Sequence, residues 1–186
     1  MTDSAPVLTT ERLALRRFTS GDLELLVRFY ADPDVTRFLG GVKNREQARD
    51  LLQQRILDYY ERHPGFGVWA TIERATGACI GMHVLNHIQG EAFIQVGFIL
   101  SREVWGRGYA TEMAAEILRY GFVDRGLPQI VAIAHPDNTA SLHVLEKIGL
   151  HRCGERSFDH SAYADHGPFA WFELDAAEWR AAQATP

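Results

Sequence analysis

Trp105-Gly106-Arg107-Gly108-Tyr109-Ala110-Thr111-Glu112 joins an apolar run, Phe93 to Leu100, to an amphipathic one, Ala110 to Phe122. A strand is therefore expected to end, and a helix to begin, at a loop with two glycines one residue apart. Such a loop can turn backbone N–H groups toward one point. The helix start adds its own unpaired N–H groups and the positive end of its dipole. The combination makes an anion site, and phosphate is the anion it suits. A bare G-x-G would be an ordinary strand-to-helix turn, so the segments around it decide the reading.

Arg12 to Phe18 reads as a first strand, and Thr19-Ser20-Gly21-Asp22 starts a helix that Asp32-Pro33-Asp34 stops. Asn44 with Gln47 forms a capping-box pattern ahead of a helix whose apolar positions run from Ala48 to Tyr60. Three strands follow, Gly67 to Glu73, Ala78 to His87 and Ala92 to Leu100. The breaks between them are short enough for hairpins. After the glycine loop come a helix closed by Gly126 and Pro128, a buried strand Ile130 to Ala134, and a helix ended by Gly149. Strands at His151 to Phe158 and Phe169 to Leu174 and a short helix from Asp175 complete the chain. Three consecutive strands before the loop exclude regular βαβ alternation. The expectation is a mixed α+β fold with a mostly antiparallel sheet of about seven strands flanked by helices. Residues 1–6 are expected to be disordered and 7–183 to form a single domain.

With 19 basic and 24 acidic residues the formal charge is −5, which argues against non-specific nucleic-acid binding. The acid-rich stretch after His151 would suit a cationic acceptor, or is solvated surface. Cys79 and Cys153 each sit in an apolar context and are expected as two buried thiols. No apolar run reaches transmembrane length and no signal-peptide pattern opens the chain, so a cytoplasmic protein away from membranes is expected.

Two further segments make the resemblance specific. Val96-Gly97-Phe98-Ile99-Leu100 followed by Trp105 to Glu112 resembles the acetyl-CoA signature of the GNAT acetyltransferase superfamily. Asn138-Thr139-Ala140-Ser141 with Glu146-Lys147-Ile148-Gly149-Leu150 resembles the superfamily's N-x-x-S…K-x-G-[FL] segment. The opening, Leu8 to Arg16, resembles the branch of the Rim-type ribosomal-protein N-acetyltransferases. The resemblance implies acetyl-CoA as co-substrate and a sheet splayed between its fourth and fifth strands, after Leu100. It also implies a pantetheine arm on the exposed backbone of Phe98, Ile99 and Leu100, and a pyrophosphate over Val104, Trp105, Gly106, Arg107, Gly108, Tyr109, Ala110 and Thr111. Glu103 stands where the superfamily more often has Gln or Arg; backbone amides dominate there, so the match survives.

Asn138 either caps the helix that follows or holds the pantetheine arm, or both. Ser141, one turn later, is a candidate proton donor to the departing CoA thiolate, against an exposed first-turn serine. Family members often place Glu where this chain has Gln95, and Gln cannot take a proton. Other candidate bases are His83 and His87, on one face of a regular strand, and Glu91 at a hairpin. Glu112 is better read as serving the helix dipole. Tyr109 sits close to the phosphate loop for an acid role, and Tyr163 is more distant still. His83 and His87 lack the companions of a metal site, so no metal is expected.

The expected activity is transfer of an acetyl group from acetyl-CoA to a primary amine within a ternary complex. A peptide or protein N-terminus leads as acceptor, ahead of a small amine such as a polyamine, amino acid or antibiotic. A non-catalytic acyl-CoA sensor and a nucleotide-binding module are the other readings. The absence of Gly-Lys-Ser/Thr after the loop argues against ATP. A monomer or a homodimer is expected.

Overall fold

The computed structural model of the chain describes residues 6–163 and 167–184. Apart from Pro6, the segment expected to be disordered lies outside the described residues. The strands are β1 (Leu8–Thr9), β2 (Leu13–Arg17), β3 (Gly67–Glu73), β4 (Cys79–His87), β5 (Ile94–Leu100), β6 (Gln129–Ala134), β7 (His151–Arg156) and β8 (Phe169–Asp175). They form one eight-stranded sheet in the order β1-β2-β3-β4-β5-β6-β8-β7. β1 with β2, β2 with β3, β6 with β8 and β7 with β8 are antiparallel. β5 meets β6 in parallel, with Gln95 opposite Val131. The mixed, mostly antiparallel sheet is the one expected. β1 raises the strand number above seven, because two residues are too few to carry a periodicity in sequence.

The chain divides into two compact units, one of Met1–Val84 and Phe98–Met113, the other of Leu85–Gly97 and Ala114–Pro186. In the first, alternate residues of β2 point inward, and Leu13 and Leu15 are completely buried. They share that core with Leu26 of α1 (Leu23–Ala31), Ala48 of α3 (Arg45–Asp50) and Trp69 of β3. Asp32 does not only end α1. Its side chain accepts from the Asp34 N–H and starts α2 (Pro33–Thr36), with Pro33 in the first turn, where its missing N–H costs nothing. The Asn44–Gln47 capping box forms as expected. The helix it opens continues through a π-helical stretch, Leu51–Leu57, into α4 (Asp58–Arg62). β4 and β5 come very close at Gly81, where a Cβ would stand 2.2 Å from the Ile99 carbonyl oxygen. Only glycine fits that approach.

The second unit centres on β8. Its cluster of Ile88, Val131, Phe158, Phe169 and Trp171 is buried, with the Phe93 ring edge-on to Trp171 at 5.2 Å. α5 (Tyr109–Arg119) runs on as a π-helical turn, Tyr120–Asp124. α6 (Thr139–Lys147) and α7 (Ala176–Gln183) both start at capped positions. β7 ends the strand order, and its residues His151 to Glu155 are exposed. This corrects the expectation of two buried thiols. Both cysteines are free, but Cys79 is half-buried and Cys153 is exposed, because an edge strand leaves a face uncovered.

Candidate functional site

β5 ends at Leu100, a single 3-10 turn spans Arg102–Val104, and α5 begins at Tyr109. Between them Gly106 and Gly108 take φ of +73° and +78°. An L side chain in that left-handed region costs about 1–2 kcal/mol per residue. Nothing lies within 4 Å of a Cβ placed on Gly106, so backbone conformation rather than crowding requires glycine there. Val104 and Tyr109 are buried on either side of the exposed Trp105 to Gly108. The half-exposed Trp105 is held by its indole N–H, which donates to the Leu100 carbonyl at 2.8 Å. Ala110 and Thr111 are half-buried in the first turn of α5. The loop thus has an exposed backbone crest between buried anchors, which suits an anion.

Two carboxylates brace it. Glu73, at the end of β3, accepts from the Tyr109 hydroxyl at 2.6 Å and from the Thr76 hydroxyl at 2.8 Å. Its Oε1 is also 3.1 Å from an Arg107 guanidinium nitrogen. The Tyr109 bond, then Thr76, with help from Arg107, holds the Glu73 carboxyl below its ordinary pKa against the effect of burial. The same bond, with burial, pushes the Tyr109 phenol up. Tyr109 is therefore a neutral donor committed to Glu73. Glu112, in the first turn of α5, accepts from the Thr10 hydroxyl at 2.6 Å, the Arg12 N–H at 3.0 Å and the Arg12 Nε at 2.6 Å. Burial works to raise its pKa, but these three bonds outweigh it and keep the carboxylate charged. Arg12 Nη1 in turn donates to the Arg107 carbonyl at 3.0 Å. The Arg12 and Arg107 guanidinium carbons lie 4.6 and 4.8 Å from the Tyr109 ring centroid.

In the second unit, Asn138 Oδ1 accepts from the Ser141 N–H at 3.2 Å, so Asn138 caps α6. Ser141 is half-buried in that first turn. Gln95 donates its side-chain N–H to Asn86 Oδ1 at 3.3 Å, a pair of neutral amides. Glu91 is 3.2 Å from Arg156, whose guanidinium also lies 4.8 Å from the Phe93 ring centroid and 4.9 Å from that of Trp171. His87 is half-buried, and the Tyr163 hydroxyl accepts from the Gln89 N–H at 3.2 Å. Phe98 and Ile99, in the first unit, are half-buried, and Leu100 is buried.

His83 is completely buried, with Nδ1 2.7 Å from the Thr71 hydroxyl and the ring 6.0 Å from that of Phe98. Burial drives its pKa down to about 3, with the nearby Ala110 backbone opposing. Its Nε2 makes no hydrogen bond of normal geometry. A neutral imidazole without access to water fits a core residue better than a base. Among the described residues no group of three or more His, Cys, Asp or Glu side chains is arranged to hold a metal ion. Nor is any helix long and apolar enough to cross a membrane.

Sequence reasoning missed Glu73 and gave Arg12 no role. The one available signal for Glu73 was an acidic residue closing an otherwise apolar strand. Nothing in its spacing pointed to a loop more than thirty residues away.

A family model described as an acetyltransferase (GNAT) domain matches residues 12–151. The uncharacterized N-acetyltransferase YoaA of Bacillus subtilis (strain 168) is 32% identical over 155 residues, covering 80% of this chain and 85% of that protein. The spermidine N(1)-acetyltransferase of Escherichia coli (strain K12) is 31% identical over 106 residues, 57% of this chain and 54% of that protein. The crystal structure of an acetyltransferase (GNAT family) from Bacillus anthracis matches with a TM-score of 0.75 at 26% identity, covering 92% of this chain and 99% of that one.

Proposed function

The chain belongs to the acetyltransferase (GNAT) family and is an acetyl-CoA-dependent N-acetyltransferase; we propose that its acceptor is an α-amine, as at a peptide or protein N-terminus. The pyrophosphate of CoA binds the backbone N–H groups of Val104 to Ala110, with Arg107 and Thr111 at its margin. The pantetheine arm pairs with the backbone of Phe98, Ile99 and Leu100 as an added strand would. The neutral amine attacks the thioester carbon, and a backbone N–H near Phe98 or Ile99 faces the developing oxyanion. The tetrahedral intermediate collapses by breaking the C–S bond. The thiolate, with a pKa of roughly 8.5, takes a proton from Ser141 or from water. The surplus proton of the attacking nitrogen passes to water. Asn138 contributes to the arm as well as to the α6 cap. Holding the two reactants side by side supplies much of the acceleration.

The observation that carries the acceptor class is Gln95 paired with Asn86, two neutral amides where family members often have Glu. The other candidate carboxylates are committed elsewhere, Glu91 to Arg156 and Glu112 to Thr10 and Arg12, while His83 lies in the core and His87 is half-buried. An enzyme without a dedicated base does best with an amine that is already neutral. At pH 7.5 an α-amine is neutral in roughly a third of molecules, a lysine-type amine in roughly one in a thousand. A polyamine acceptor is the second reading, favoured by the similarity to the E. coli spermidine N(1)-acetyltransferase.

The test is CoA release at pH 7.5 with three acceptors: a lysine-free peptide with a free N-terminus, an N-terminally blocked peptide with one lysine, and spermidine. The free N-terminus should react faster by on the order of 100-fold, following the neutral fractions. Preference for spermidine would replace the proposal with the polyamine reading. Tight CoA binding without turnover on any amine would replace it with the sensor reading.

A further inference from the structure

Glu73 is remote in sequence from the loop, lies at the end of β3, and is only 8% exposed. A carboxylate so covered needs partners, and two of its three come from the loop segment: the Tyr109 hydroxyl and the Arg107 guanidinium. These residues flank Gly108, one of the loop's two glycines at positive φ. The third partner, Thr76, belongs to the β3–β4 turn and fixes the other oxygen. Glu73 therefore ties both neighbours of a left-handed glycine to the end of β3. Arg12 closes the frame from a second direction by binding the Arg107 carbonyl and the Glu112 carboxylate. The first helical bond of α5, from the Glu112 N–H to the Gly108 carbonyl at 3.0 Å, completes the circuit.

We propose that Glu73 is a positioning residue for the donor: it sets the Gly106–Gly108 backbone in its anion-receiving conformation before CoA arrives, without touching CoA itself. The physical reason is preorganisation. Each glycine is free to leave the left-handed region in solution, and every alternative the loop visits lowers its affinity for the pyrophosphate. Anchoring Arg107 and Tyr109 removes those alternatives. The anchored Arg107 also stays beside the loop with half its side chain exposed, placed to add charge next to a phosphate. Tyr109 contributes its hydroxyl as a tether and its ring as the surface on which two guanidinium groups rest. The role predicts effects on donor binding rather than on chemistry. This inference rests on the reading of the loop as the pyrophosphate site.

The test compares two donors, acetyl-CoA and S-acetylpantetheine, which keeps the thioester and the arm but lacks the pyrophosphate. Glu73→Gln keeps the side-chain shape and loses the charge. It should raise the KM for acetyl-CoA roughly 10-fold, the value of a hydrogen bond to a charged group, with kcat within about twofold. Its kcat/KM for S-acetylpantetheine should match that of the unaltered protein. Tyr109→Phe, which spares the charge and removes one tether, should shift the acetyl-CoA KM the same way by roughly 3-fold. The double variant should be no worse than Glu73→Gln alone, because the two changes break one link. If Glu73→Gln does not fold, Tyr109→Phe carries the same comparison. An equal loss with both donors would mark a structural lesion and overturn the proposal, as would wild-type kinetics on acetyl-CoA. If the unaltered protein itself used both donors equally well, the pyrophosphate reading of the loop would fall first, a result separable from either.

Discussion

The loop from Ser101 to Glu112 and the hairpin end from Asn86 to Gln95 treat charge in opposite ways. Around the loop, Glu73, Glu112, Arg12 and Arg107 form a continuous frame of short polar contacts, and every carboxylate in it is held in its charged form. At the hairpin end, Gln95 and Asn86 meet as neutral amides, and the carboxylate of Glu91 is taken up by Arg156. The first arrangement fixes the flanks of the loop that is proposed to receive the pyrophosphate. The second pairs neutral amides at Gln95, where family members often have Glu. On the proposed function, the donor is recognised through the loop backbone and the acceptor is selected by its own chemistry.

The largest effect should come from removing what the frame protects. Gly106→Ala with Gly108→Ala places two side chains in the left-handed region, at about 3 kcal/mol in all. If that strain is relieved by a different loop conformation, the KM for acetyl-CoA should rise by on the order of 100-fold. Initial-rate kinetics at saturating acceptor measure it. A rise below threefold would mean that the backbone conformation of the crest does not matter to donor binding.

The next prediction concerns His83, a neutral titratable group buried in the same unit as the charged frame. His83 has its folded pKa depressed to about 3, so between about 3 and about 6.5 the unfolded chain holds a proton that the folded chain lacks. Its contribution therefore falls as the pH drops below about 6.5 and goes on falling until about 3. From pH 7 to pH 5 the unaltered protein should lose about 2 kcal/mol more than His83→Gln does. Urea unfolding at the two pH values gives the difference. Equal losses would place the imidazole in contact with water and reopen its candidacy as a base.

The smallest effect is the most specific. Gln95→Glu puts a carboxylate where the neutral amide now stands. It should raise kcat/KM for a lysine-type acceptor by roughly 10-fold, below the range of a fully positioned base, and leave an α-amine acceptor nearly unchanged. An equal gain with both acceptors would show that proton removal limits the α-amine as well.

Much of this arrangement was readable in sequence where physics acts locally. The glycine pair, the Asn44–Gln47 box and the Asn138 cap each depend on residues within one turn of one another, and all three formed at the expected positions. The three-strand run before the loop and the sheet class followed from hairpin-length breaks. What escaped depends on distance. Glu73 reaches the loop through folding alone, and a strand pattern gives its face but not its partner. His83 was placed correctly on a strand, but periodicity does not say which face of a strand carries a helix. Cys153 looked apolar in context and proved exposed because strand order, invisible in one sequence, put β7 at an edge.

On the proposed function the acceptor reaches the site as the neutral amine, and no side chain of the enzyme removes its proton. The most direct measurement is kcat/KM against pH for two acceptors, a free α-amine peptide and a lysine-type amine. One rising limb is expected, with an inflection that moves with the acceptor from about 8 to about 10. An inflection between about 6 and 7 that stays in place for both acceptors would contradict it, because that pKa would belong to a base on the enzyme.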